Sequence, residues 1–190
     1  MDEAYKFLEI YLSAQRRAHS YRVADTARQL SSNHGVDNVK TYLAGLLHDI
    51  ARDLEKEKIL ELVKEQQLYR DRIDLEIPVV LHSYVSAWIS SEKFGIVDKE
   101  VLEAIIDHTL ASPEMTDVAK VVYLADLIEP ERQFPGIDKI RELASVDLDE
   151  AMLYALDITI NYLVQTKKLI HPRTIEARNQ FLRIHLLKKR

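Results

Sequence analysis

Apolar residues recur at three- and four-residue spacing along nearly the whole chain, and only 4 glycines and 5 prolines interrupt its 190 residues. That period belongs to α-helices with one buried stripe. A chain of many short strands needs far more turn formers. The expected architecture is all-α, one domain over residues 1–190 with about nine or ten helices and no convincing strand. A first helix is predicted over 3–15, with Tyr5, Leu8 and Leu12 on one side. A second runs from His19 to His34 and stops at Gly35, and a third runs from Asp37, its N-cap, to Ala51. Residues 55–68 read as a helix with a charged outer face. Pro78 opens a helix ending near Gly95, Asp98 caps the next, and 114–128 follows. Phe134-Pro-Gly136 breaks the chain before helices from about 137, 148 and 172.

Composition narrows the function. With 47% hydrophobic and 30% charged residues the chain is neither disordered nor low-complexity. Its formal charge of −5 makes nonspecific nucleic-acid binding a poor expectation. The lack of cysteine removes disulfides, thiolate metal sites and Cys nucleophiles, and suits a reducing cytosol. The start MDEAYKFLEIYL has no basic leader, and no apolar run approaches the roughly 18 residues a membrane span needs. A cytoplasmic protein is expected.

Ionisable side chains fall on the inward stripes. His19 shares a face with Val23, Ala27 and Leu30; His82 lies on the Val85–Ile89 side; His108 follows Val101, Ala104 and Ile105. His48 and Asp49 end the apolar run that begins at Tyr42, and Asp126 sits inside Val121-Val-Tyr-Leu-Ala-Asp-Leu-Ile. One such histidine is ordinarily a hydrogen-bonded core residue. Two carboxylates and four imidazoles facing inward are costly unless something shared satisfies them. A divalent metal does so, and imidazole with carboxylate suits iron, manganese, zinc or cobalt.

The order His19 … His48-Asp49 … Asp126 resembles the HD superfamily of metal-dependent phosphohydrolases, an all-helical fold. The strings around it sharpen the resemblance: Ala44-Gly-Leu-Leu-His-Asp-Ile-Ala-Arg52, Leu81-His82, Ala104-Ile-Ile-Asp-His-Thr109, Tyr123-Leu-Ala-Asp-Leu-Ile-Glu-Pro-Glu-Arg132 and Ile170-His-Pro-Arg-Thr-Ile175. Together with Phe134-Pro-Gly136 they are similar to the YqeK-type symmetrical dinucleoside tetraphosphatases over almost the whole chain. Three positions depart from the family pattern: Arg52 stands for Lys, Ser86 for Gly and Ala111 for Gly.

The resemblance implies that His19, His48, Asp49 and Asp126 hold a first metal. His82 and His108 either complete a second site bridged by Asp49 or donate hydrogen bonds to phosphate. Asp49, His82, His108 and Arg132 are the expected catalytic set, with Arg132 the first candidate for a phosphate clamp. Nucleotide contacts are expected from His19, Asp49, Ile50, Ala51, Arg52, His82, His108, Thr109, Asp126, Arg132 and the run Leu169, Ile170, His171, Pro172, Arg173 and Thr174. Arg16 and Arg17 read as a solvated helix end, although one of them could reach phosphate. Iron is the metal the family implies, with manganese or cobalt able to replace it in vitro. The substrate implied is a dinucleoside polyphosphate and the product a nucleoside diphosphate, diadenosine tetraphosphate giving two ADP. A homodimer is compatible with the Leu- and Tyr-rich surface. Another HD-type phosphohydrolase or phosphodiesterase, or a non-catalytic nucleotide sensor, are the competing expectations.

Overall fold

The computed structural model describes the backbone of residues 2–190 and the side chains of residues 4–190. Ten α-helices form among them, with no strand: α1 Asp2–Tyr11, α2 Ala14–His34, α3 Asn38–Leu47, α4 Lys56–Glu65, α5 Leu81–Phe94, α6 Lys99–Asp107, α7 Asp117–Ile128, α8 Ile137–Ala144, α9 Leu148–Gln165 and α10 Pro172–Lys188. Two short 3-10 segments, Arg72–Glu76 and Pro78–Val80, lead into α5. Among the described residues no helix is long and apolar enough to cross a membrane.

Local chemistry sets the ends. Asp37, Asp98, Thr116 and Asp147 each accept backbone N–H bonds at the start of α3, α6, α7 and α9. Gly35 and Gly95 close α2 and α5 in the left-handed conformation. Several boundaries differ from the sequence expectation: α1 ends at Tyr11, not 15, α7 begins at Asp117, not 114, and two further shifts bear on the site. Helix α2 begins at Ala14, not His19, because Ser13 accepts the Arg16 N–H at 3.3 Å and places the N-cap there. As a result His19 lies inside a formed helix. Helix α3 ends at Leu47, not Ala51. Beyond it the chain tightens into turns, with Ile50 N bonded to the Leu47 carbonyl and Arg52 N to that of Asp49.

Helix α7 is the axis of the core. Its Val118, Ala119, Val121, Val122, Leu124, Ala125 and Ile128 are all buried, as expected of a helix apolar nearly all round. It packs against α2, α3, α6 and α9. One apolar cluster runs from Ala4 and Leu8 through Leu46, Leu47, Ile105 and Leu124 to Met152, Leu156 and Phe181. Helices α2 and α3 meet closely: a Cβ added at Gly45 would lie 3.1 Å from the Ala24 Cα. Ala24 and Ala27 supply the matching small surface. That contact fixes α3 against α2, and with it the end of α3 where the His48-Asp49 pair begins.

Candidate metal centre

Five helices deliver the cluster. His19 comes from α2, His48 caps α3 with Asp49 following, His82 lies in the first turn of α5, His108 caps α6 and Asp126 lies in the last turn of α7. All but the half-buried Asp126 are buried. The six residues expected from sequence to meet do meet.

The imidazoles share one device. His48 Nδ1 donates to the Gly45 carbonyl at 2.7 Å and His108 Nδ1 to that of Ile105 at 2.6 Å, while His82 Nδ1 lies 2.7 Å from that of Val79. In each case the acceptor lies three residues back. His19 Nδ1 donates to Glu129 Oε1 at 3.2 Å. The carbonyls and the Glu129 carboxylate can only accept, so Nδ1 carries the proton in His19, His48 and His108, and Nε2 is without a partner in His19 and His48. His82 Nδ1 also meets the Arg52 guanidinium at 2.8 Å, and its Nε2 meets His108 Nε2 and Asp49 Oδ1.

The four Nε2 atoms face two carboxylates. Asp126 Oδ1 stands 3.0 Å from His19 Nε2 and 3.8 Å from His48 Nε2. Asp49 Oδ2 is 3.7 Å from His48 Nε2 and 4.0 Å from His19 Nε2. Its other oxygen, Oδ1, is 2.9 Å from His82 Nε2 and 3.7 Å from His108 Nε2. His82 and His108 bring their Nε2 atoms within 3.1 Å of one another. Asp49 thus lies between two groups of donors, one oxygen toward each.

The donor set fits a divalent cation. Donor atoms of His19, His48 and Asp126, and of His48, Asp49 and His108, lie within 4.8 Å of one another in each triplet. His19 Nε2 and His48 Nε2 are buried with no hydrogen-bond partner. An orphaned buried polar atom costs about 1–3 kcal/mol, which a cation shared between them offsets. Burial pushes the His48 imidazole down to about 4, so it stays neutral and ready to ligate. Burial likewise lowers His82. Burial opposes the charge on Asp49, but His48, His108 and His82 outweigh it and hold the carboxyl well below its ordinary range. Asp126 is held down in the same way by His19, His48 and Arg132. His108 moves up, because the facing Asp49 outweighs its burial.

A cavity of about 360 Å³ opens onto the cluster, lined by Asp49, His82, His108 and Asp126 with Arg16, Arg52, Thr109, Tyr123, Arg132 and Thr159. Arg132 bends back as expected: Nε donates to the Asp126 carbonyl at 3.0 Å and Nη2 to its Oδ1 at 2.7 Å. Arg16 donates to Asp49 Oδ2 at 2.6 Å, so it belongs to the site and is not a solvated end. Arg52 reaches the Val79 carbonyl at 3.1 Å and stands 2.8 Å from His82 Nδ1. The Thr109 hydroxyl is buried and unpartnered beside His108. A polar recess of about 350 Å³ continues past Arg16, His19, Arg22 and Arg132. On the other side a groove of about 660 Å³ passes Arg52, Val79, His82, Leu163, Lys168 and Leu169.

Other expected contact residues sit differently. Ile50 and Ala51 are buried in the turn after Asp49, and Ala51 N donates to Ser86 Oγ at 3.2 Å. The serine that departs from the family pattern therefore braces that turn. Ala111, the other small-residue departure, is buried at φ +60°, a left-handed conformation that favours glycine. In the 169–174 run, Leu169 lines the groove and Ile170 is half-buried. His171 caps α10, accepting from Arg173 N at 3.1 Å, and its Nε2 lies 2.9 Å from buried Asp74. Pro172 opens α10. Arg173 donates to Asp107 at 2.5 Å and Thr174 to the Leu110 carbonyl at 2.9 Å. These three side chains tie α10 to its neighbours. Tyr123, Thr159 and Glu129 are site neighbours that sequence reading did not single out. For Arg16 and Glu129 a signal existed, since each lies three residues from a metal-facing side chain on the same helix face.

Comparison with known proteins agrees with this geometry. A family model described as the HD domain matches residues 16–131. The chain is 36% identical to a symmetrical bis(5'-nucleosyl)-tetraphosphatase of Halalkalibacterium halodurans, over 95% of this chain and 96% of the relative. It is 32% identical to the Bacillus subtilis protein of the same name, over 94% and 95%. The crystal structure of a predicted HD superfamily hydrolase involved in NAD metabolism, from Clostridium acetobutylicum, superposes with a TM-score of 0.91 at 36% identity, covering 95% of this chain and 96% of that one. The His/Asp cluster in this setting implies a divalent metal. The matched stretch contains every one of the converging donors from His19 to Asp126, and the chain belongs to the HD-domain family.

Proposed function

We propose that this protein hydrolyses dinucleoside tetraphosphates at the central anhydride, diadenosine tetraphosphate and water giving two ADP. The observation that carries the reading is the convergence of four imidazole Nε2 atoms, two of them unpartnered, and two carboxylates at the floor of an arginine-lined cavity. The full-length relatives named as symmetrical tetraphosphatases support the substrate class.

His19, His48, Asp49 Oδ2 and Asp126 would hold one metal, and His82, His108 and Asp49 Oδ1 a second. Iron is the proposed element, since nitrogen and oxygen donors without thiolate suit it. A bound divalent metal supplies Lewis acidity toward a phosphoryl oxygen and makes the attacking water acidic near neutral pH. The remaining work falls to the chain. Arg16 and Arg132 already lie against the cluster's carboxylates and keep solvent-facing edges, so they receive bridging phosphates and the charge that develops on them. Arg52 and the unpartnered Thr109 hydroxyl orient the same chain of phosphates from the groove side. Openings on both sides let the two nucleoside halves extend away from a centrally placed anhydride, which matches a symmetrical cut.

The test is product analysis. Metal-depleted protein is incubated with diadenosine tetraphosphate and iron(II), manganese, cobalt or no metal, and the nucleotides are separated. ADP as the sole product, dependent on metal and lost in Asp49→Ala, supports the reading. ATP plus AMP overturns the symmetrical cut, and no turnover with any metal overturns the substrate.

A further inference from the structure

His19 differs from the other three imidazoles in what stands behind it. His48, His82 and His108 are backed by neutral carbonyls, whereas His19 is backed by the Glu129 carboxylate, which is only 2% exposed. Glu129 follows the end of α7 and lies one turn beyond Asp126. The two acids therefore reach the His19 ring from opposite sides, Asp126 Oδ1 at 3.0 Å from Nε2 and Glu129 Oε1 at 3.2 Å from Nδ1.

The carboxylate is itself fixed. Arg22, one turn after His19 on α2, donates from Nε to Glu129 Oε2 at 2.6 Å and from Nη2 to Oε1 at 3.4 Å. The Glu131 N–H donates to Oε2 at 2.9 Å. Arg141, from α8, donates to the Glu129 carbonyl at 3.2 Å and holds the same backbone. A buried acid with this many partners has little freedom to rotate away from the ring.

We propose that Glu129 is a positioning residue for the metal centre: it fixes the tautomer and orientation of His19, strengthens its Nε2 as a donor, and is held in place by Arg22. A carboxylate behind a ligating imidazole does this in other metal sites, and its loss costs roughly 10–100-fold in metal affinity. The inference rests on the assignment of His19 as a ligand, and the experiment separates the two.

Cobalt(II) is titrated into metal-depleted wild-type, Glu129→Gln, Glu129→Ala, Arg22→Ala and His19→Ala proteins, reading Kd from the visible spectrum and thermal midpoints from circular dichroism. Glu129→Ala is expected to weaken cobalt binding about 10–100-fold. Glu129→Gln keeps an acceptor oxygen without the charge and is expected to fall between Glu129→Ala and wild type. Arg22→Ala should shift Kd in the same direction by less. Imidazole ¹⁵N spectra should show one ring losing its fixed Nδ1–H form in Glu129→Ala and keeping it in Glu129→Gln. If Glu129→Ala does not fold, the Gln variant carries the test. Cobalt affinities of the Glu129 variants within twofold of wild type, with lowered thermal midpoints, would make Glu129 a purely structural tie and overturn the inference. If His19→Ala also binds cobalt as wild type does, the ligand assignment fails instead.

Discussion

The two sides of Asp49 are built differently. Around Oδ2 lie His19, His48 and Asp126, with Arg16 and Arg132 against the carboxylates and Glu129 behind one ring. Around Oδ1 lie His82 and His108, backed by main-chain carbonyls, with Arg52 against His82 Nδ1, and opening to the groove at Leu169. The first side concentrates charge and partners, as a permanent cation site requires. The second has one shared carboxylate for two imidazoles, so any cation there keeps more of its coordination for water and phosphate. With metals bound as proposed, holding and reacting would be divided between the two faces of one carboxylate.

The sharpest way to break this division is Asp49→Ala, which removes both faces. We expect kcat/KM for diadenosine tetraphosphate to fall at least about 10³-fold, the several kcal/mol a Lewis acid supplies. Asp126→Ala and His82→Ala test the two sides separately. Asp126→Ala should lower metal content measured by elemental analysis along with activity, whereas His82→Ala should keep the tighter metal and lose about 10²-fold in kcat. Equal metal loss in both would erase the distinction.

Arginine changes come next. Arg132→Ala removes a charged phosphate donor worth about 1.5–3 kcal/mol and should cost roughly 10–100-fold in kcat/KM, with metal content unchanged.

Acid sharpens the comparison through His48 and His108. Burial lowers His48 to about 4 from an ordinary 6.5, so between those pH values the unfolded chain binds a proton that the folded chain refuses. Stability of metal-depleted protein should therefore fall as pH drops from 6.5 toward 4, by up to about 3 kcal/mol. His108, raised by Asp49, acts oppositely: its contribution is present below 6.5 and is lost as pH rises through its folded value. Urea melts across this range read the net slope, and His48→Asn should flatten its acid limb.

The smallest effect concerns Ala111, held at φ +60° after the α6 end that carries His108. Ala111→Gly should stabilise the protein by about 1 kcal/mol, since the left-handed strain on a Cβ exceeds the entropy glycine adds to the unfolded chain.

Much of this is legible in the sequence. Inward stripes placed His19, His82, His108 and Asp126 on buried faces because helical period alone dictates which side chains share a face. The His48-Asp49 pair was legible as a motif, but not that the helix ends at Leu47 and tightens there. That depends on hydrogen bonds between residues three apart, for which periodicity has no sign. Arg16 was read as solvent-exposed because a charged residue near a helix start is usually so; the capping Ser13 extended the helix and turned it inward. For His171, Arg173 and Thr174 the string alone does not tell which groups the side chains meet. A matching string places a segment near a site, yet the partners Asp74, Asp107 and the Leu110 carbonyl come from distant sequence and decide where its side chains go.

With His19 and His48 as ligands, the close crossing at Gly45 would tie the size of the cation to the backbone. Two helix main chains in contact set the span between His19 on α2 and the His48 cap of α3. Repacking a distant side chain leaves that span alone, while a single methyl at position 45 would force the helices apart by a few tenths of an ångström. Preference between a smaller and a larger ion can then drift by substitution at a residue that touches neither metal nor substrate.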